Sequence, residues 1–235
     1  MKKMVGRLIK DILLLAKVRS SKLIITAGMP RSGSTLLFNM VRLAVLAEPK
    51  SQKEERLSSG WISEILEMPD ASAYLVKTHR LSRLMTMKSN SIFYSYRDVR
   101  DALVSNYRKF DKSPSIEIVR EWIRQYSIAK SKSVKMLKYE DMIKDLRSQI
   151  IEISNTLSKE LSDETINSLV YELNSMADRS SLDGEKRFSS DTLLHKNHIT
   201  GTRSGEWQTL FDKELINDIH KEFDWWFSEN QYPIW

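Results

Sequence analysis

No cysteine occurs among the 235 residues. Disulfides, thiolate nucleophiles and Cys-ligated zinc are thereby excluded, and the absence suits a reducing cytoplasm, which is the expected location. Histidine is scarce: His79, His195, His198 and His220 are all there is, and none belongs to an HExxH pair. His195 and His198 stand three apart, but no acidic or third ligand completes a pattern, so no metal is expected. Long apolar runs are missing as well. The opening MKKMVGRLIKDILLLAKVRS confines its apolar core to Ile12–Ala16, between Asp11 and Lys17, which is too short and interrupted for a transmembrane span or a signal-peptide core. Residues 1–20 read instead as an amphipathic helix that docks on the domain or lies on a membrane surface, with docking expected. Nor is there a block of like charges interleaved with aromatics, so no nucleic-acid partner is expected.

What is present is an excess of positive charge, net +6 with a pI near 9.3. It points to anionic ligands without choosing among nucleotide, nucleic acid and acidic membrane. Hydrophobic residues make up 41% of the chain, enough for a core, and the length fits one domain over 1–235. Three short β-rich runs stand out, Lys22–Ala27 (KLIITA), Ala73–Thr78 (AYLVKT) and Ser91–Tyr96 (SIFYSY), with a weaker fourth at Val134–Tyr139 (VKMLKY). Each leads through turn residues into helical periodicity, which predicts an α/β fold: a parallel sheet between two layers of helices. Helices are predicted over Ser34–Leu46, Ala102–Phe110, Ile116–Lys132, Glu140–Leu157, Asp163–Ala177 and Lys213–Phe227, with Ser162 or Asp163 capping the fifth. Asp178–Gly205 has little periodicity, and a connection of that length is expected to be functional or mobile. The closing Trp225, Trp226, Tyr232 and Trp235 read as packing rather than a ligand cage.

The first motif is GMPRSGST, Gly28–Thr35. It has the frame of a phosphate loop, yet Ser34 stands where GxxxxGK[ST] requires lysine, and Arg31 sits inside the loop. A strand, a glycine turn and a helix starting near Ser34 aim backbone N–H groups at an anion, and the helix dipole adds to them. Losing the lysine argues against phosphoryl transfer from a nucleoside triphosphate. Arg31 can still grip two oxygens with its fork. The second motif, RDVRDALVS, puts Arg97 at the carboxyl end of the third strand, where open α/β sheets bind ligands, with Ser105 about two helical turns on. Between the two lies VKTH, where Lys77 and His79 alternate on extended chain toward one side. Histidine suits proton removal from a hydroxyl near neutral pH, and a neighbouring cation can neutralise a group in flight.

These segments resemble the sulfotransferases that use 3′-phosphoadenosine 5′-phosphosulfate (PAPS), a family with a P-loop-like three-layer fold. Pro30–Thr35 resembles its 5′-phosphosulfate loop, Lys77-Thr78-His79 its KTH triplet, and Arg97 with Ser105 its 3′-phosphate pair. KYEDMIKD, Lys138–Asp145, resembles its YED stretch, and GTRSGEWQTLF, Gly201–Phe211, its late GxW segment. The likeness runs in order over residues 22–211. It implies that Arg31, Ser32, Gly33, Ser34 and Thr35 hold the 5′ end, that Arg97 and Ser105 hold the 3′-phosphate with help from Thr202 and Arg203, and that Tyr139 lies near the adenine. It further implies His79 as general base with Lys77 and Arg31 neutralising charge, PAP as product, no metal, and a hydroxyl acceptor, carbohydrate or other small molecule. Arginine at position 31 resembles the carbohydrate and protein-tyrosine branches. Two other readings of the residues stay open: a P-loop small-molecule kinase, and a non-catalytic nucleotide-binding member of the fold. Residues 48–70 and 178–200, with Trp61 and Phe188, are expected to shape the acceptor pocket.

Overall fold

The computed structural model describes residues 12–47, 56–132, 134–179, 191–194 and 204–234. Within them five strands, β1 (Lys22–Gly28), β2 (Leu57–Trp61), β3 (Ala73–Thr78), β4 (Ser91–Tyr96) and β5 (Lys135–Lys138), form one parallel sheet in the order β2-β3-β1-β4-β5. The expected α/β class is the one observed. β1 takes the centre because its run is apolar on both faces, as a strand covered by helices on two sides must be. Leu23, Ile25 and Ala27 share one core with Tyr74, Val76, Ile92 and Tyr94. The intervening Ile24 joins the other core, with Leu75, Phe93 and Leu137. Each such fully buried side chain contributes about 1.5–3 kcal/mol.

Helices α1 (Ser34–Leu46), α6 (Leu146–Thr156) and α7 (Asp163–Arg179) cover the second core with Phe38, Val41, Ile150, Ile153 and Leu169. Helices α3 (Val99–Phe110), α4 (Ile116–Lys130) and α9 (Lys213–Glu229) cover the first. Trp226, fully buried, stacks on Tyr232 at 5.2 Å, so these two serve packing, whereas Trp225 is exposed. Residues 12–17 are helical, and Leu14 and Val18 are buried in the first core while Lys17 reaches Asp70 at 2.6 Å. That part of the leading segment packs on the domain. Among the described residues no helix is long and apolar enough to cross a membrane.

Three elements differ from expectation. β2, reading LSSGW, carries no β-rich signal; it pairs along β3 from Leu57↔Ala73 to Trp61↔Lys77, and a Cβ on Gly60 would come 2.7 Å from Met68 Cε. The single helix expected over Glu140–Leu157 is two, α5 (Tyr139–Lys144) and α6, because Asp145 leaves helical geometry and accepts the Ser148 N–H at 3.0 Å as an N-cap. α3 begins at Val99 rather than Ala102, since Asp98 caps it through the Arg100 N–H at 2.9 Å. Short helices α2 (Arg83–Lys88), opened by a Ser82 cap, and α8 (Trp207–Leu210), with a 3-10 turn over Ile62–Glu64, complete the described elements.

Candidate active site

The carboxyl ends of β1, β3 and β4 lie side by side where the chain changes direction across the sheet, the crevice in which open α/β folds bind ligands. β1 runs out at Gly28. Only glycine fits there, because a Cβ would stand 2.3 Å from Ser95 Oγ on the paired strand. The loop then turns through two left-handed residues, Arg31 (φ 65°) and Gly33 (φ 74°). A non-glycine residue in that region is strained by about 1–3 kcal/mol. Ser32 holds the turn down: its hydroxyl lies 2.6 Å from the Met29 carbonyl and 2.8 Å from Ser95 Oγ, and its N–H donates to Met29. Ser32 thus anchors the loop from below. At the start of α1, Gly33 offers no side-chain cap and the first-turn N–H groups of Ser34 and Thr35 have no helical acceptor, an arrangement that suits an anion.

Cations converge on this turn. Arg31 Nε donates to Ser105 Oγ at 2.9 Å, tying the loop to α3. The Lys77 ammonium donates to the Thr35 hydroxyl and stands 4.6 Å from the Trp61 ring centroid. The Arg97 guanidinium carbon stands over the Tyr139 ring, 4.6 Å from its centroid, and Tyr139 in turn is the side chain that a Cβ on Gly33 would strike at 2.6 Å. Turn, tyrosine and Arg97 are therefore stacked in sequence. The positive groups disturb one another: burial and then Arg97 lower the Arg31 pKa, and burial and then Arg31 push Lys77 down to about 7. Lys109, one helical turn past Ser105, is lowered by burial and by Arg31. Such crowding suits a site that an anion completes. Arg97 is only 7% exposed, and its Nε has no hydrogen-bond partner among the described residues.

His79 follows β3 directly. Its Nδ1 is 2.8 Å from the Gly28 carbonyl. A carbonyl only accepts, so Nδ1 carries the proton and the neutral ring keeps its lone pair on Nε2. Burial, then the charges of Lys77 and Arg31, push its pKa down to about 4, against a raising effect of the Gly28 carbonyl. Burial and the neighbouring cations thus favour the neutral ring. Trp61, the last residue of β2, faces it with ring centroids 5.6 Å apart.

Behind Arg97 a buried network fixes the start of α3. Arg100 spans both Asp98 carboxylate oxygens at 2.9 and 2.6 Å, meets His220 Nε2 at 2.8 Å, and lies over the rings of Trp207 and Phe227. Asp101 accepts the Gly205 N–H at 2.9 Å and stands 3.9 Å from Arg97, so the late segment is pinned beside the arginine.

Of the sequence candidates, Arg31, Ser32, Gly33, Ser34, Thr35, Lys77, His79, Arg97, Ser105 and Tyr139 are brought to this one crevice. The Ser105 hydroxyl accepts a hydrogen bond from Arg31 in this structure. Thr202 and Arg203 lie outside the described residues, as do Phe188, His195 and His198. Sequence reasoning passed over Asp101, Lys109 and Ser95. Lys109 sits at i+4 from Ser105 on one face of α3, and Asp101 follows Arg97 by four residues across the helix start; nothing marks Ser95 before its strand is paired with β1.

The sulfotransferase domain model matches residues 112–231, half of the chain, taking in Tyr139 and Trp207. The chain belongs to the sulfotransferase family. This sulfotransferase is 24% identical over 266 residues to the 3-beta-hydroxysteroid sulfotransferase of Cavia porcellus, covering 90% of this chain and 92% of that one. In fold it is similar to mouse sulfotransferase SULT7A1, solved with PAP (TM-score 0.62, 16% identity, 93% of this chain and 88% of that one). It is also similar to retinol dehydratase, solved with androsterone and PAP (TM-score 0.59, 19% identity, 88% and 80%).

Proposed function

We propose that this sulfotransferase moves a sulfuryl group from PAPS to a hydroxyl acceptor, with His79 as general base. The observation that carries the reading is the pair of separate cationic grips around one neutral histidine. Arg31 and Lys77 stand at the loop, and Arg97 stands across Tyr139 with a buried, unmatched Nε among the described residues. A donor with a phosphosulfate at one end and a phosphate at the other calls for two such grips. A triphosphate would call for one cradle with a lysine at position 34, where serine stands.

Nε2 of His79 takes the acceptor proton as the hydroxyl oxygen attacks sulfur, and the S–O bond to the 5′-phosphate breaks. Sulfuryl transfer should share the loose transition state of phosphoryl transfer, so positioning and charge neutralisation carry most of the acceleration. Lys77 and Arg31 neutralise the charge that gathers on the leaving phosphate. First-turn N–H groups of α1 hold that phosphate, and Tyr139 lies beside the nucleotide base. Trp61 walls the acceptor side next to His79, and a flat ring face suits the apolar body of an alcohol or the C–H face of a sugar. The Cavia porcellus relative's steroid name and the retinol dehydratase complexes with androsterone and retinol support an alcohol of the first kind. Arg31 supports the second. In Thr202 and Arg203 the late segment supplies further contacts to the 3′-phosphate.

Incubation with sulfur-labelled PAPS and a panel of steroid alcohols, retinoids, phenols and glycans tests the reading. Label is expected in at least one hydroxyl compound, and His79→Ala should lower that turnover about 10²–10⁴-fold while PAP affinity holds. Near-full turnover in His79→Ala with the true acceptor would remove the base assignment.

A further inference from the structure

Asp101 is out of place on electrostatic grounds. It is a carboxylate, 1% exposed, set 3.9 Å from the arginine that the proposed function assigns to the donor's 3′-phosphate. Burial raises its pKa, with Asp98 adding to the rise and the Gly205 N–H and Arg97 opposing it. By charge alone it opposes an anion at Arg97. Its geometry suggests what it gives in return. It lies in the first turn of α3, four residues past Arg97, which precedes the helix; one of its oxygens stands 3.9 Å from the guanidinium, and Arg97 Nε has no hydrogen-bond partner among the described residues. Its other oxygen accepts the Gly205 N–H at 2.9 Å, at a turn whose φ of +85° few other residues adopt. Next to that turn, Glu206 pairs with Arg108 at 2.8 Å, and Trp207 packs on Arg100 at 4.2 Å. The late segment is thus fastened to α3 at three successive residues, and Asp101 is the fastening that also touches Arg97.

We propose that Asp101 is a positioning residue that joins Arg97 to the Gly205 turn, so that the 3′-phosphate grip is assembled from helix and late segment as one unit. The inference rests on the PAPS reading, since it assigns Asp101 a part in holding that donor's 3′-phosphate. It makes a prediction opposite in sign to plain Coulomb reasoning. Deleting a negative charge beside an anion site should tighten the anion; deleting a positioning group should loosen it.

The test is calorimetric titration of PAP and of adenosine 5′-phosphate, which lacks the 3′-phosphate, into the wild type, Asp101→Ala, Asp101→Asn, Arg97→Ala and the Arg97→Ala/Asp101→Ala pair. Asp101→Ala is expected to weaken PAP about tenfold, the scale of a charged hydrogen bond, with adenosine 5′-phosphate unchanged. Asp101→Asn keeps an oxygen for the Gly205 N–H and should recover part of the loss; being nearly isosteric, it also serves if the alanine variant does not fold. The double variant should bind PAP no more weakly than Arg97→Ala alone, because Asp101 acts through that arginine. PAP binding equal to or tighter than wild type in either Asp101 variant overturns the proposal, as does equal weakening of both nucleotides or additive losses in the pair. If Arg97→Ala leaves the preference for PAP over adenosine 5′-phosphate intact, the 3′-phosphate assignment itself fails, and that outcome is distinct from a failure confined to Asp101.

Discussion

Replacing Lys77 with methionine should make the protein more stable and the enzyme inactive. Lys77 is 2% exposed, and burial followed by the Arg31 charge pushes its pKa from 10.5 to about 7. The unfolded chain therefore binds more protons between those values. The cost of the ammonium is fully present below pH 7 and disappears as pH rises to 10.5. At about 1.4 kcal/mol per pH unit, the drop amounts to roughly 4–5 kcal/mol. Methionine keeps the stem but loses the Thr35 hydrogen bond and the contact with Trp61, together about 2–3 kcal/mol. A net gain of roughly 1–3 kcal/mol remains, which for a chain of this size raises Tm by about 2–12 °C. Thermal unfolding at pH 6.5–7 without nucleotide, then with saturating PAP, gives the answer. Lys77→Met should melt higher than wild type alone and gain less from PAP. A lower Tm for nucleotide-free Lys77→Met would refute the idea that Lys77 is held at a cost to stability for the sake of the donor.

The pH profile of kcat/KM for the donor should be bounded by the same two groups. Activity should rise through about pH 4, as His79 loses its proton and can act as base, and should fall through about pH 7, as Lys77 loses its charge. Arginine at position 77 should move the alkaline limb upward, and a flat profile between pH 6 and 9 would remove Lys77 from the account. At the loop, Gly33→Ala forces a side chain into φ 74° and within 2.6 Å of Tyr139 Cδ2. It should lower stability by about 1–3 kcal/mol and weaken PAP; an unchanged melting curve and PAP affinity would contradict the stacked arrangement of turn, tyrosine and arginine.

Much of the site was legible because its residues sit at strand ends, which alternation and flanking turns locate well. Lys77 and His79 follow directly from where AYLVKT stops, and Arg97 from where SIFYSY stops. The loop could be read from its glycines and its displaced positive charge. What stayed hidden depends on neighbours distant in sequence. LSSGW has weak strand propensity and becomes β2 only by pairing along β3, which brings Trp61 to His79. Only the fold shows Arg31 crossing to Ser105 at 2.9 Å. Nothing in the motif shows that the partner strand draws the Ser32 hydroxyl under the turn. The break at Asp145 did leave a trace, an N-cap aspartate three residues before a serine, which helical periodicity outweighed.

Titration of PAP and of ATP with magnesium into the wild-type protein addresses the two-grip site most directly. Two cationic clamps without a P-loop lysine should bind PAP at least about tenfold more tightly than ATP–Mg, the equivalent of one charged hydrogen bond. ATP–Mg binding as tight as PAP would contradict it and return the chain to the kinase reading.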